Sequence, residues 1–466
     1  MITVRSVAER GAEMIAAFNR WRRPRRENPF LVGVHEPLTA EFSLVDLPVS
    51  GTIPAALQGR YLKMGANPVR PDPAAHHWFL GDGMVHGIAL AGGRATWYRN
   101  RWIGSRLAAA ALGREPAPGP RRGRNDTVNT NVVPIGGQAY AVVEAGSFPV
   151  ALSPTLDAQR YDPFGGTLTG SYSGHPHRDP ATNETHAIAY DGNVWDSVRH
   201  VVLSPEGRVI RDLPIPVADG PCIHDCAITS RFVVVLDLPV TFSMRAVLAG
   251  YVFPFRWNPA HAPRVGLLPR GGEAAEIIWC AVEPCFVFHV ANAYDEGDRV
   301  VLDVVAYPTM FTANDSGLDA LSRLERWTVD PSRRQIERRV LDETPQEFPR
   351  IDERRFGQRH DIIYTVSVPP DGNTQLTGAT RLFRHDLRTG ARQVHEFGDG
   401  HLPGEFIFVP NGDEDAGWLI GLVLNVATKT TDLVILDDAR FEAAPVATVH
   451  LPHAIPPGFH GNWFPD

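Results

Sequence analysis

Most of the chain consists of short apolar runs bounded by turn-forming residues, a pattern typical of β-strands. The runs are rich in valine and isoleucine and often recur at a spacing of about ten residues. Clear examples are AYAVVEA (139–145), THAIAY (185–190), RFVVVLDLPV (231–240), RVVLDVVAY (299–307), DIIYTVSV (361–368) and DLVILDD (432–438). No such run precedes a helical pattern long enough for a parallel crossover, which disfavours an α/β fold. An all-β propeller or a large sandwich remains, and no clean repeat gives a blade count.

Helical periodicity is clear only near the start of the chain. A helix is predicted from about Val4 to Arg22, with an apolar face formed by Val7, Met14, Ile15, Phe18 and Trp21. This helix could be a membrane contact, a dimer arm or a solvated cap. A shorter helix is predicted over SRLAAAALG (105–113).

One segment, TFSMRAVLAGYVFPFRW (241–257), is strongly apolar but lacks strict alternation. It could be a loop packed under the fold, or an exposed patch for a lipophilic substrate or a membrane surface. The residues that would form such a patch are Phe242, Met244, Leu248, Tyr251 and Phe253.

Composition narrows the class of protein. The chain has 466 residues, 43% of them hydrophobic, with Gly 42 and Pro 40, which favours many tight turns. The net charge is −8, and the single Arg-rich stretch, WRRPRREN (21–28), is read as a solvated arm, so nucleic acid is not an expected partner. There is no secretory signal and no apolar run long enough to span a bilayer, so a cytoplasmic protein is expected. The four cysteines, Cys222, Cys226, Cys280 and Cys285, are expected to be reduced and mostly buried.

Histidines and single carboxylates at strand edges are the candidate chemical groups. Four of the 18 histidines stand out by context: His175, His224, His289 and His460. A single histidine in a β core is more often a hydrogen-bonded structural residue than a ligand, and four in similar contexts weaken that interpretation without overturning it. Three carboxylates lie beside apolar residues: Glu144, Glu347 and Glu405. They could be turn acids, or acceptors for the outer N–H of metal-bound imidazoles.

Nine motifs in order resemble the carotenoid cleavage oxygenase family, over about Glu36 to the end of the chain. They are EPLTAEFSLVDLPVSGTIPAALQGRYLKMGANP (36–68), HHWFLGDGMVHGI (76–88), NTNVV (129–133), GHPHRDPATNETHAI (174–188), IHDCAITSRFVVV (223–235), FHVANAYDE (288–296), EFPRID (347–352), GEFIFVP (404–410) and GFHGNW (458–463). The resemblance implies a seven-bladed β-propeller with a loop and helix dome. We expect a single domain over 1–466, in which residues 1–30 form a helical, basic arm.

The resemblance also implies a non-haem iron ion, Fe(2+), held by four histidines. Matched motif by motif, the ligands would be His175, His224, His289 and His460, with Glu144, Glu347 and Glu405 bonded to the outer imidazole nitrogens. His177, two residues after His175, is the rival for the first position. The motif at 458–463 would place the last ligand in the segment that closes the propeller, which would explain why the chain ends in core-type residues.

The implied activity is cleavage of a C=C bond by O2 to give two carbonyl products. In stilbene-cleaving members of the family a Lys and a Tyr bind the substrate phenol; here Val143 and Trp102 stand at the matching positions. The sequence has only two lysines, Lys63 and Lys429, both distant from Glu144 along the chain. We therefore expect a carotenoid or apocarotenoid, a lipophilic polyene, taken up with possible peripheral membrane association. Cleavage of a stilbene or phenylpropenoid, an isomerase and a non-enzymatic propeller are the alternatives, and the oligomeric state stays open.

Overall fold

Short strands dominate the computed structural model, which describes residues 4–22, 27–123, 125–312, 321–412 and 416–466. The predicted arm at 1–30 therefore lies partly outside the described residues, as does the side chain of Val7. The strands are β1 (Ser43–Val45), β2 (Val49–Gly51), β3 (Gly59–Ala66), β4 (Gly83–Ala91), β5 (Arg94–Trp102), β6 (Asn131–Ile135), β7 (Gln138–Val142), β8 (Val150–Leu152), β9 (Gln159–Tyr161), β10 (His177–Arg178), β11 (Thr185–Asp191), β12 (Val194–Leu203), β13 (Val209–Pro216), β14 (Cys226–Ile228), β15 (Phe232–Asp237), β16 (Val240–Phe242), β17 (Phe255–Trp257), β18 (Arg264–Pro269), β19 (Ile278–Ala281), β20 (Phe286–Glu296), β21 (Arg299–Tyr307), β22 (Arg323–Asp330), β23 (Gln335–Asp342), β24 (Gln346–Arg350), β25 (Ile362–Ser367), β26 (Arg381–Asp386), β27 (Ala391–Glu396), β28 (His401–Pro410), β29 (Gly417–Asn425), β30 (Thr430–Asp437), β31 (Ala447–Leu451) and β32 (Gly461–Pro465). The α-helices are α1 (Val4–Trp21), α2 (Arg106–Leu112) and α3 (Met244–Leu248). Short 3-10 turns span Pro29–Leu31, Gly33–His35, Ala274–Glu276, Glu353–Arg355 and Asp438–Arg440.

Seven antiparallel sheets form the blades of a β-propeller, which confirms the fold expected from the motifs. In strand order, blade 1 is β1-β5-β4-β3-β32, blade 2 is β6-β7-β8-β9 and blade 3 is β10-β11-β12-β13. Blade 4 is β14-β15-β18-β19, blade 5 is β20-β21-β22-β23, blade 6 is β24-β25-β26-β27 and blade 7 is β2-β31-β30-β29-β28. Five of the blades contain only strands consecutive along the chain or nearly so. Blades 1 and 7 each combine strands from both ends of the chain.

The two ends of the chain close the ring. β32 pairs with β3, with Gly461 opposite Lys63, and β2 pairs with β31, with Val49 opposite Val449. The backbone of His460 accepts a hydrogen bond from the Met64 N–H at 2.9 Å. The last residues are thus part of a sheet, and their aromatic side chains are core residues.

The apolar core lies between neighbouring blades. β15 and β21 are buried along nearly their whole length, because both faces of each sheet pack against another blade. A fully buried valine or isoleucine contributes about 1.5–3 kcal/mol, so these runs are a large part of the stabilising free energy. The four cysteines are free and buried, as expected.

The predicted strand over 231–240 is divided between two sheets. It ends at Asp237 in blade 4, and the chain resumes as β16, which pairs with β17 outside the blades. Pro239 separates the two parts, and a proline cannot donate the hydrogen bond that a central strand needs.

Both predicted helices are present, and α3 was not foreseen because it is only one turn long. α2 begins at a Ser105 cap and ends at Gly113, whose φ of 67° suits glycine. The apolar face of α1 points outward: Met14 is 73% and Trp21 77% exposed. The buried side of α1 contacts α3, where the Asn19 amide donates to the Leu248 carbonyl at 2.7 Å. No helix in the described ranges is long and apolar enough to cross a bilayer.

Candidate metal centre and cavity

Four histidines that are far apart in sequence meet where the inner strands converge. His175 precedes β10, His224 precedes β14, His289 lies within β20 and His460 precedes β32. One nitrogen of each imidazole lies within 4.8 Å of the corresponding nitrogen of the others. All four side chains are buried or nearly so. The structure therefore brings together the four positions that the motifs indicated.

Three of the imidazoles are held by carboxylates on their outer side. His224 Nδ1 lies 2.9 Å from Glu144 Oε2, and His289 Nδ1 lies 2.6 Å from Glu347 Oε2. His460 Nδ1 lies 3.0 Å from Glu405 Oε1. These are the three glutamates singled out in the sequence. In each pair, the glutamate and the histidine belong to different blades or to the segments next to them.

Irregular strand pairing aims several of these side chains. The register shifts between Val287 and Val290 around His289, between Glu347 and Arg350, and between Pro403 and Phe406 around Glu405. A bulge turns a side chain out of the regular alternation, which is how an inner strand can present a polar group to the ring axis. Sequence periodicity cannot predict this direction.

The hydrogen bonds determine where the proton of each imidazole resides. A carboxylate only accepts, so Nδ1 of His224, His289 and His460 carries the proton and Nε2 presents its lone pair inward. Nε2 of His224 and Nε2 of His289 face each other at 3.3 Å. Two facing lone pairs need a cation between them.

The charge environment keeps part of the cluster neutral. Burial, together with the neighbouring imidazoles, lowers the pKa of His175 well below its ordinary value. Burial also lowers the pKa of His460 to about 4, although Glu405 opposes the change. Burial likewise lowers the pKa of His289, but Glu347 outweighs it and the net pKa is raised. A neutral imidazole is the form that binds a metal.

The residues fit a transition-metal ion. His175 Nε2 is buried and has no hydrogen-bond partner among the described residues, which is costly unless something else binds it. Imidazoles with outer carboxylates are typical ligands of zinc, copper, iron and nickel. His175, which has no such carboxylate, is positioned by its backbone N–H, which donates to Ser173 Oγ at 3.0 Å.

His177, the alternative to His175 as the first ligand, contacts a carboxylate instead of joining the cluster. His177 Nε2 lies 2.7 Å from Asp225 Oδ1, and Asp225 Oδ2 accepts from the Val290 N–H at 2.8 Å. Asp225 thus ties the loop of His224 to the strand of His289. Asp225 stands inside the motif at 223–235, but nothing in the sequence indicates this role.

Two further residues support the carboxylates and were also missed. Tyr307 donates its hydroxyl to Glu347 Oε1 at 2.9 Å. Arg350 contacts Glu405 at 3.4 Å and donates to Asn462 Oδ1 at 2.7 Å. Burial raises the pKa of Glu405, but Arg350 and His460 outweigh it and hold that pKa at about 2. Arg350 lies in the motif at 347–352, where its contact with blade 7 is invisible to sequence reasoning.

A largely apolar cavity of about 1420 Å³, counting its opening to solvent, borders three of the histidines. Its walls carry aromatic side chains from the connecting segments and inner strands, namely Phe30, Trp78, Phe79, Phe288, Phe348 and Phe459. Aliphatic side chains also line it, namely Leu402, Leu422, Leu424 and Ile455. Lys63 also lines the cavity, and so does Glu144. The fold thus brings a lysine into the cavity that contains Glu144, although the two residues are distant along the chain.

The residues proposed as an apolar wall do not line this cavity. Trp102 is buried elsewhere, and its indole N–H donates to the Asn67 carbonyl at 2.9 Å. Val143 packs against the core between blades 1 and 2. The sequence matched their positions along the motifs but could not place their side chains.

The apolar segment 241–257 combines the two interpretations left open. Phe253 stacks on His77 with 5.0 Å between ring centroids, and His77 lines the cavity. Phe242 stacks on Trp195 at 4.9 Å. Leu248 and Tyr251 are half-buried, and Met244 is exposed.

A seven-bladed propeller with four imidazoles at the convergence of its inner strands defines a class of metal-dependent oxygenases. A family model described as retinal pigment epithelial membrane protein matches residues 35–465. The carotenoid cleavage oxygenase of Mycobacterium tuberculosis H37Rv is 38% identical, over 94% of this chain and 98% of the relative. The chain belongs to this family, the carotenoid oxygenases.

Two solved structures resemble the chain along nearly their whole length. The lignostilbene dioxygenase of Pseudomonas brassicacearum has a TM-score of 0.86 at 26% identity and covers 95% of this chain and 100% of its own. A variant of the Synechocystis apocarotenoid oxygenase has a TM-score of 0.82 at 26% identity, covering 94% and 99%. The family thus includes named oxygenases for both polyenes and aryl alkenes.

Proposed function

We propose that the protein is an Fe(II)-dependent dioxygenase that cleaves one C=C bond of a carotenoid or apocarotenoid. The C=C bond breaks, two C=O bonds form, and both atoms of O2 enter the products. The observation that carries the proposal is the cluster of four imidazoles, three of them bonded to carboxylates, beside a largely apolar cavity. His175, His224, His289 and His460 would hold the ion.

The protein's own residues have three tasks in this reaction. The glutamates hold the imidazoles in the tautomer that presents Nε2 inward and partly offset the charge of the ion. The aromatic and aliphatic walls exclude water and position the alkene. When bound, iron supplies the activation of dioxygen that amino-acid side chains cannot provide.

A polyene suits the apolar lining of the cavity, and it is the substrate class named for the 38% identical relative. A second candidate, cleavage of a hydroxystilbene or phenylpropenoid to an aryl aldehyde, is favoured by one observation. Lys63 lines the cavity as a buried cation, which a hydrocarbon substrate does not require.

Aerobic incubation of the iron-loaded protein tests the proposal. One reaction contains carotenoids and apocarotenals in detergent, and the other contains hydroxystilbenes and phenylpropenoids, with products identified by mass. Polyene aldehydes or ketones are expected, and their masses locate the cleaved bond. Aryl aldehydes alone would replace the first candidate by the second, and no cleavage of either mixture would refute both.

Two variants separate the metal site from a general loss of fold. His289→Ala removes one imidazole of the cluster and should abolish both iron binding and cleavage. The matched control is His450→Ala, because His450 also bonds a carboxylate, Asp432 at 2.8 Å, but lies at the surface. The control should retain stoichiometric iron.

We also propose that the protein docks on a membrane through the outer faces of α1 and α3. Exposed apolar residues, including Phe18, Trp21 and Met244, lie there beside the cations Arg22 and Arg245. This combination suits an anionic lipid surface, from which an insoluble polyene could be taken up.

Liposome co-sedimentation tests the docking proposal. Phe18→Asp with Met244→Asp should reduce binding to vesicles containing phosphatidylserine. The matched control is Leu107→Asp, an exposed apolar residue on α2. Unchanged binding of the double variant would exclude this surface.

A further inference from the structure

Lys63 is an unusual side chain for its position. The chain carries 45 basic residues, and all but Lys63 and Lys429 are arginine. Lys63 lies in β3 with only 4% of its surface exposed, and it lines the cavity. A buried ammonium is costly unless it is paired, so its presence requires a reason.

Within the part of the chain that the structure describes, no group neutralises this cation by direct pairing. Among the described residues, none forms an ion pair or a side-chain hydrogen bond with Lys63 Nζ. Glu405, the carboxylate that acts on it most, is engaged by His460 and by the Gly461 N–H at 2.9 Å.

The neighbour across the strand offers no negative charge either. His86 lies opposite Lys63 in β4, and its Nδ1 is bonded to the Tyr98 hydroxyl at 3.0 Å. Burial and the neighbouring His453 lower the pKa of His86 to about 3, so it is neutral. The donors of the ammonium are therefore available on the cavity side.

Two glycines make room for the side chain. A Cβ built at Gly404 would lie 2.5 Å from Lys63 Nζ, and one at Gly458 would lie 3.3 Å from Lys63 Cε. Both glycines line the cavity. The ammonium thus rests against bare backbone instead of being crowded away from the open space.

The strand pairing places this cation beside the metal centre. Lys63 is directly opposite Gly461, the residue after His460. Residues opposite each other in antiparallel strands have Cα atoms about 4.5–5.5 Å apart. Lys63 and His460 therefore come from neighbouring paired segments, and both line the same cavity.

We propose that Lys63 is a specificity-determining residue whose ammonium donates a hydrogen bond to an oxygen atom of the alkene substrate. The oxygen is the aldehyde oxygen of an apocarotenal or the phenol oxygen of a hydroxystilbene. Either oxygen can accept a hydrogen bond from an ammonium group. The proposal rests on the proposed cleavage reaction and deepens it: the site selects alkenes that carry an oxygen atom over the corresponding hydrocarbons. Burial lowers the pKa of Lys63 to about 8, partly offset by Glu405, so the ammonium form prevails at neutral pH.

Matched substrate pairs test this assignment. One pair is an apocarotenal and the hydrocarbon of the same polyene length, and the other is a para-hydroxystilbene and the para-methylstilbene. Lys63→Met removes the charge at similar length. The control is Lys429→Met, because Lys429 is 77% exposed and pairs only with Glu36 at 3.6 Å.

The measured quantity is the preference for oxygen. It is kcat/KM for the oxygen-bearing substrate divided by kcat/KM for its oxygen-free analogue in each pair. Loss of a hydrogen bond to a charged group should reduce this ratio by roughly 10- to 100-fold in Lys63→Met and leave it unchanged in Lys429→Met. The pair whose ratio falls identifies which oxygen the site binds. An unchanged ratio in both pairs would overturn the proposal, since a merely structural lysine would affect both members alike.

Binding provides a readout that does not depend on turnover. Quenching of the tryptophan fluorescence of the protein, with Trp78 in the cavity wall, is titrated anaerobically with the same four probes. If wild-type protein cleaves none of them, the proposed reaction fails, and the ratio of dissociation constants still decides the role of Lys63. If the methionine variant does not fold, Lys63→Gln, neutral and polar, is measured in the same way.

Discussion

Replacing Glu405 with glutamine tests how the carboxylates control the metal centre. Oε1 of Glu405 accepts from His460 Nδ1 at 3.0 Å, and Oε2 accepts from the Gly461 N–H at 2.9 Å. An amide has one acceptor and one donor, so in either orientation its NH2 group faces a donor. The conflict is relieved if His460 moves its proton to Nε2, but then Nε2 has no lone pair for a metal.

The structure sets the size of the effect. The Glu405 pKa falls from 4.5 to about 2, with Arg350 and His460 outweighing the opposing effect of burial. At about 1.4 kcal/mol per pKa unit, this net lowering contributes about 3 kcal/mol to the free energy of unfolding of the metal-free protein. Because the folded pKa is lowered, this stabilisation is complete above pH 4.5 and is lost as the pH falls towards about 2. Loss of a residue that orients a metal ligand typically reduces metal affinity by about 10- to 100-fold.

Iron affinity, measured by chelator competition at pH 7, is the primary assay. Glu405→Gln should bind iron about 10- to 100-fold more weakly than the wild type. Urea unfolding of the metal-free proteins at several acidic pH values should show a weaker pH dependence in the variant.

The matched control is Glu353→Gln. Glu353 also pairs with Arg350, at 2.6 Å, but is half-exposed and bonds no imidazole of the cluster. The control should retain wild-type iron affinity. Wild-type affinity in Glu405→Gln would refute the tautomer argument, and equal losses in both variants would assign the effect to Arg350.

Three other variants have definite expected outcomes. Deleting Gly458–Asp466 should abolish iron binding, because it removes both His460 and β32; a truncated protein with stoichiometric iron, measured by metal analysis, would contradict the assignment of the fourth ligand. His175→Ala should lose iron with little change in Tm, whereas His177→Ala should keep iron and lower the Tm, because it leaves the buried Asp225 without its imidazole partner. The reverse result in paired metal analysis and thermal melts would make His177 the ligand.

The local sequence was a reliable guide to elements whose signals are local. The apolar runs predicted strands such as β21 and β30, and the helical spacing of large apolar residues such as Met14 and Phe18 predicted α1. The motifs named the histidines and glutamates that the fold brings together. Residues such as Asp225 and Arg350 stood inside those motifs, yet their contacts could not be inferred, since each partner comes from another blade.

The sequence by itself determined the all-β class, the strand content and the residue types available for a four-histidine metal centre, because alternation, turn residues and motif spacing are properties of neighbouring positions. Only the tertiary structure decided which way side chains point and what they meet. Ring closure set Lys63 opposite Gly461 and placed it in the same cavity as Glu144, and bulges turned His289 and Glu405 towards the axis. Trp102 and Val143 instead pack outside that cavity. These outcomes depend on contacts between residues that are distant along the chain, and local periodicity does not encode such contacts.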